Sequence, residues 1–165
     1  MEYLYAPWRA DYFGDCKEAD CIFCHLSSNQ DKDEQNRVFY RDDKVFCVMN
    51  KYPYTPGHFL IIPHIHTNSP ATLESEIWLH LQTLGQKGVA LLEEFGAQGV
   101  NYGINIKKAG GAGIPEHLHL HLIPRFIGDT NFFTTIGEGR VYGVDFDTIF
   151  HKIKTLAKNH FKSTS

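Results

Sequence analysis

The stretch PEHLHLHLIPR, Pro115 to Arg125, sets His117, His119 and His121 at alternate positions, with Leu118, Leu120 and Leu122 between them. Side chains alternate across the two faces of a strand, so this spacing predicts one apolar face and one face lined with imidazoles. The ordinary fate of a single such histidine is to face solvent on a sheet edge, and three on one face are also a metal-ligand set. Two neighbouring features favour phosphate chemistry instead. The AGGAG stretch, Ala109 to Gly113, lacks the side chains that would keep backbone N–H groups away from phosphate oxygens. A fourth histidine, His58, ends a second turn, PGH. Imidazoles clustered beside a glycine cradle suit phosphoryl or nucleotidyl transfer.

The elements that must position these groups follow from the apolar pattern. RVFYR and KVFCVMN flank Asp42-Asp43 and predict a hairpin, and His58 to Pro63 predicts a short buried strand after a Pro-Gly turn. From about Glu74 to Phe95 the apolar residues Ile77, Leu81, Leu84, Val89, Leu92 and Phe95 recur at helical spacing, with Gly96 as the stop. GVNYGINIK, Gly99 to Lys107, predicts a strand, and AGGAGIPE is a turn into the histidine strand. Beyond Asp145, residues Phe146, Ile149, Ile153 and Leu156 predict an amphipathic helix. The order gives an α+β fold with a mostly antiparallel sheet of about five strands, a long helix and a C-terminal helix. The 165 residues suit one domain: an N-terminal arm over 1–26, a polar surface loop over 27–36, a core over 37–145 and a helical tail over 146–165.

Composition excludes several classes. A formal charge of −3 argues against a nucleic-acid binder that works by bulk electrostatics, and no run reaches membrane-spanning length. The opening MEYLYAPWRADYF lacks the basic end and apolar core of a secretory signal, so a cytoplasmic protein is expected. In a reducing compartment the CIFC pair, Cys21 and Cys24, reads as a metal or redox element, while Cys16 and Cys47 stand alone.

With HLHLHLIPR, NKYPYTPGHFLIIPHIH and the LYAPWR arm with CIFC, the chain resembles the histidine-triad (HIT) nucleotide-binding proteins over most of its length. GAGIPEHLHLHLIPRFIGDTNFF is most similar to the bacterial diadenosine tetraphosphate phosphorylase branch. The resemblance implies that His119 attacks the α-phosphorus of an adenine nucleotide and carries it covalently until a second nucleophile resolves it. It also implies that His121 and His58 serve phosphate oxygens or the departing group, and that Asn50 binds ribose hydroxyls. Asn105, Gly111, Gly113, Arg125 and Phe126 complete the implied substrate contacts, with Lys107 and Lys108 as further anion donors or plain surface charges. Asn105 reads equally as a strand-end asparagine. Two positions depart from the family: Gly113-Ile114 replaces a side-chain donor ahead of the triad, and Phe126 stands where phosphorylase-like relatives carry Trp.

Cys21, Cys24, His66 and His117 form a Cys₂His₂ set of the kind that closes around structural zinc, which some relatives carry. A reduced CxxC without metal is the alternative; His64 rivals His66, and His25 and His80 lie near in sequence. No organic cofactor is expected. Within a nucleotidyl transferase or hydrolase, phosphorolysis of diadenosine tetraphosphate leads, followed by polyphosphate hydrolysis and adenosine phosphoramidase activity. A nucleotide-binding sensor or interaction module is the reading from another class. A homodimer is expected from the aromatic arm (Tyr3, Tyr5, Trp8, Tyr12, Phe13) and the helix around Trp78.

Overall fold

The computed structural model describes residues 21–161 except 138, 140 and 141; Cys16 and the aromatic arm lie outside the described residues. The chain runs through α1 (Ile22–Ser28), a 3-10 turn (Gln30–Lys32), α2 (Asp33–Asn36), β1 (Val38–Arg41), β2 (Val45–Met49) and β3 (Phe59–Pro63). It continues through α3 (Ser75–Phe95), β4 (Gly99–Ile104), β5 (Leu120–Arg125), α4 (Phe132–Ile136) and α5 (Phe146–His160). The strands form one sheet in the order β1-β2-β3-β5-β4, antiparallel at every neighbour. The α+β expectation of a five-stranded antiparallel sheet with a long helix and a C-terminal helix is the fold observed.

One expected loop is otherwise. Within 27–36 the chain makes the 3-10 turn and α2, ending at Arg37 in the left-handed region (φ 61°). The segment stays at the surface because it has no apolar side to bury, and short polar helical turns need none.

The two faces of the sheet divide as the strand alternation requires. Cys47, Met49, Phe59, Ile61, Leu120 and Leu122 turn toward α3 and α5 and join Leu81, Leu91, Leu92, Phe150 and Ile153 in the main core. The opposite face carries Phe46, Val48, Leu60 and Ile62, packed with Cys21 and Phe23 from the N-terminal side. Register pairs Leu60 of β3 and Gly103 of β4 with His121 of β5, so the histidine face is continuous with this second, smaller core. The histidine strand is therefore internal, between β3 and β4, and the solvent-facing edge reading does not describe it.

Helix α3 lies close on the sheet because it carries glycines where the strands press on it. A Cβ on Gly88 would meet Leu122 Cδ2 at 2.7 Å and Phe59 Cζ at 3.0 Å. The helix ends as expected at Gly96, whose φ of 112° suits a residue without Cβ. Helix α5 is capped by Asp145, whose carboxylate accepts from the Thr148 amide at 2.8 Å. Among the described residues no helix is long and apolar enough to cross a membrane.

Candidate active site and metal-ligand cluster

The histidine run enters β5 from the turn that closes the glycine stretch. His117 and His119 precede the first paired strand residue, and Leu118 is fixed by donating its amide to the Thr67 carbonyl at 2.6 Å. His117 is 1% and His119 4% exposed, while His121 is half-buried. Part of that cover is the Phe23 ring of α1, 5.2 Å from the His119 ring and 5.5 Å from that of His117. Phe23 was not legible as a site residue; its only signal was an aromatic between the two cysteines of CIFC.

The hydrogen bonds fix which imidazole nitrogens carry protons. His119 Nδ1 lies 2.7 Å from the His117 carbonyl oxygen. A carbonyl only accepts, so Nδ1 holds the proton and Nε2 keeps its lone pair. Burial lowers the His119 pKa against the opposing pull of that carbonyl, which keeps the ring neutral at pH 7. His58 is fully buried. The Tyr54 amide donates to its Nδ1 at 3.2 Å, while the Asn50 side-chain nitrogen sits beside the ring, 3.3 Å from Nδ1 and 3.2 Å from Nε2. With Nδ1 accepting, His58 Nε2–H donates to His121 Nδ1 at 3.0 Å, which leaves the proton of a neutral His121 on Nε2. One ring thus presents a lone pair, and its neighbour, 4.9 Å away between ring centres, presents a donor.

The remaining expected contacts scatter around this pair. Asn50 is tied to the His58 turn, its carbonyl oxygen accepting from the Tyr52 amide at 3.0 Å. Asn105 lines a cavity of about 250 Å³ with His121, Asn101, Gly103 and Tyr54. Gly111 sits in the left-handed region at φ 88°, and the amides of Gly111 and Ala112 close the turn onto the Lys108 and Lys107 carbonyls. Two of the amides expected to cradle phosphate are therefore engaged within the chain. Gly113 has open space where a Cβ would sit. Arg125 is also engaged: its Nε and Nη2 grip both oxygens of Asp129 at 2.6 and 2.7 Å, and its Nη1 donates to Asn101 Oδ1 at 2.8 Å. Phe126 is half-buried beside a second cavity, and Lys107 and Lys108 are exposed.

The four expected metal ligands converge. The Sγ atoms of Cys21 and Cys24 and one nitrogen each of His66 and His117 lie within 4.8 Å of one another. His117 Nδ1 is 3.3 Å from Cys21 Sγ and 3.6 Å from Cys24 Sγ, and His66 Nδ1 is 3.2 Å from Cys24 Sγ. A tetrahedral zinc with ordinary Zn–S and Zn–N bonds separates S and N ligands by about 3.5 Å, so the donor set fits the ion. The tautomer fits as well. His117 Nε2–H donates to the Pro63 carbonyl at 2.9 Å, and burial pushes the ring pKa down to about 4, which leaves Nδ1 a neutral lone pair facing the sulfurs. His64 is elsewhere: its Nε2 donates to the Asp42 carbonyl at 3.0 Å and its Nδ1 accepts from the Ser27 hydroxyl at 2.7 Å. His80 pairs with Asp42 at 2.7 Å, and exposed His25 lies against Asn29 of its own turn. Cys47 is buried in the main core, where desolvation raises its thiol pKa.

The chain is similar to known proteins over most of its length. The HIT domain profile matches residues 31–128, more than half of the chain. A Mycobacterium tuberculosis protein named AP-4-A phosphorylase is 30% identical over 149 residues, covering 86% of this chain and 76% of its own. A Dictyostelium discoideum bis(5'-adenosyl)-triphosphatase is 30% identical over 92 residues, covering 55% of this chain and 61% of its own. The crystal structure of a Zn-bound histidine triad family protein from Mycobacterium smegmatis superposes with a TM-score of 0.71 at 26% identity, covering 87% of this chain and 96% of that one. With HLHLHL entering the sheet as described and the profile spanning the strands around it, the chain belongs to the HIT family.

Proposed function

We propose that the protein is a HIT-type nucleotidyl transferase that attacks the α-phosphate of an adenine dinucleotide through His119, and that its reaction is phosphorolysis of diadenosine tetraphosphate to ATP and ADP. The observation that carries the reading is the bond from His119 Nδ1 to the His117 carbonyl, because it presents a neutral Nε2 lone pair from a buried ring. Nε2 attacks the α-phosphorus, the bond from that phosphorus to the bridging oxygen breaks, and ATP leaves. The Nε2–H of His121, held by His58, donates to the departing or equatorial oxygens. The phosphorylated ring is cationic, and the His117 carbonyl stabilises it through the Nδ1–H. An oxygen of inorganic phosphate then attacks the same phosphorus, breaks the P–N bond, and releases ADP and neutral His119.

Asn105, Gly113 and Phe126 contact the substrate, Asn50 and Arg125 hold the His58 turn and the β4–β5 end in place, and Gly111, whose amide closes its own turn, shapes the loop ahead of the histidines. Cys21, Cys24, His66 and His117 hold a zinc ion that fastens α1, and with it Phe23, over the histidine face. A closed set of four protein ligands keeps no position for water, so the ion is structural. The chain acts as one domain in the cytoplasm, as a homodimer.

The name of the M. tuberculosis relative supports phosphate as the acceptor, and that of the D. discoideum relative supports water. Reaction with diadenosine tetraphosphate in ¹⁸O-labelled phosphate separates them. Phosphorolysis puts label in the β-phosphate of ADP; AMP as the dominant product at saturating phosphate makes the protein a hydrolase. No turnover of any adenine nucleotide would leave a nucleotide-binding module.

A further inference from the structure

Two cavities meet at Tyr54. The first, of about 250 Å³, reaches His121 and carries the asparagines of β4 and its end. The second, of about 190 Å³, is lined by Tyr54, Phe126 and Phe133 together with Asn131 and Thr134. The Tyr54 ring stacks on His58 with centroids 5.1 Å apart and planes 20° from parallel, and His58 in turn holds His121. Tyr54 is 36% and Phe133 51% exposed, so two large aromatic surfaces remain open around one recess. Aromatic walls with hydrogen-bonding side chains set between them suit a flat heteroaromatic ligand.

We propose that this second cavity is the subsite for the purine base of the departing nucleotide, whose polyphosphate crosses the first cavity past Tyr54. The inference rests on the nucleotidyl-transfer reading above and adds where the other half of the substrate sits. Distance along the strand fits. Phe126 follows His121 by five residues, about 16 Å of extended chain, a gap that a triphosphate with its ribose spans and a small leaving group does not. The polar groups fit too. Asn101 gives its carbonyl oxygen to Arg125, which leaves its NH₂ as a donor for phosphate oxygens in the first cavity. Asn131 gives its carbonyl oxygen to the Phe133 amide at 3.0 Å, which leaves an NH₂ for the ring nitrogens of a purine. Asp129, the one acidic group among the described residues that line the second cavity, is neutralised by both guanidinium contacts of Arg125 and does not repel the polyphosphate.

The test compares two substrates that share the AMP half: diadenosine tetraphosphate, and adenosine 5′-phosphoramidate with its small leaving group. The readout is the ratio of their kcat/KM values. Phe133→Ala, which removes a wall, and Thr134→Trp, which puts a bulky ring into the lining, are each expected to lower that ratio by about tenfold, the order expected for one lost stacked base. Phe133→Trp, which restores a ring, is expected to keep it within twofold. A ratio in Phe133→Ala or Thr134→Trp that stays within twofold of the wild type overturns the subsite. A wild-type enzyme that takes the phosphoramidate but not the dinucleotide also overturns it while leaving attack at the α-phosphate standing. Turnover of neither substrate rejects the nucleotidyl-transfer reading itself and the subsite with it.

Discussion

The Nδ1 atom of His119 lies 2.7 Å from the backbone carbonyl of His117, so the chain fixes the proton of one triad histidine with the main chain of another. Because a carbonyl cannot donate, this single contact decides which nitrogen of His119 keeps its lone pair. Replacing His119 with Ala or Asn is expected to lower kcat by at least about a thousandfold while nucleotide binding persists, since only the covalent step uses that lone pair. His121→Ala is expected to lose about a hundredfold, as a donor to oxygen and not the attacking atom. Steady-state kinetics beside equilibrium binding decides; a His119 variant within tenfold of wild type removes the nucleophile assignment.

Zinc is expected at one ion per chain. Cys21→Ser should abolish it and lower the melting temperature by at least about 6 °C, because the ion ties the start of α1 to His117 across 96 residues of chain. Elemental analysis of protein purified without chelator, beside melting curves of both proteins, checks this. Metal-free wild-type protein that melts with the Cys21 variant would end the idea.

The close approach of α3 to the histidine strand predicts that Gly88→Ala is destabilising. The added methyl meets Leu122 and Phe59, both fully buried, so neither yields without cost. The expected loss is about 1–3 kcal/mol, roughly 2–12 °C in melting temperature. Denaturant unfolding measures it, and an unchanged midpoint would mean that α3 can lift from the sheet.

Asp42 links the β1–β2 turn to α3. Burial raises its carboxyl pKa, but the Val45 amide, His80, the Lys44 amide and the Tyr40 hydroxyl together outweigh burial and hold it below its usual 3.8. A carboxyl with a depressed folded pKa adds stability that is complete above the unfolded value and fades as pH falls through the folded one. The gap in melting temperature between wild type and Asp42→Ala should therefore be full at about pH 5 and shrink steadily as the pH falls below the ordinary 3.8. A gap that holds constant would trace it to packing and not to charge.

A homodimer is expected, with a sedimentation mass of two chains at micromolar concentration. Strand β4 lies at the end of the sheet with Tyr102 42% exposed, and Ile106 just beyond it is 42% exposed, so this edge has both backbone groups and apolar area to pair. A mass of one chain counts against it.

Much of this arrangement is written in local sequence. Alternation of His and Leu separates two chemically different faces over Leu120–Leu122, where a strand has a period of two, while His117 and His119 ahead of the strand are placed by the Leu118 bond to Thr67 and the carbonyl of His117. The helical spacing from Ile77 to Phe95 with Gly96 behind it, and the tail beyond Asp145, are likewise local patterns, and the helices form where those patterns lie. The Cys₂His₂ set was legible because few residue types bind zinc, but whether His64 or His66 completes it was not. The fold decides that by giving His64 two other partners, the Ser27 hydroxyl and the Asp42 carbonyl, while turning His66 toward Cys24. Tertiary structure alone likewise laid Phe23 over His119, engaged Arg125 with Asp129, and stacked Tyr54 on His58 between two cavities. Periodicity reports which side of its own element a residue faces; what stands opposite depends on contacts between segments distant in sequence, and no spacing within either segment encodes them.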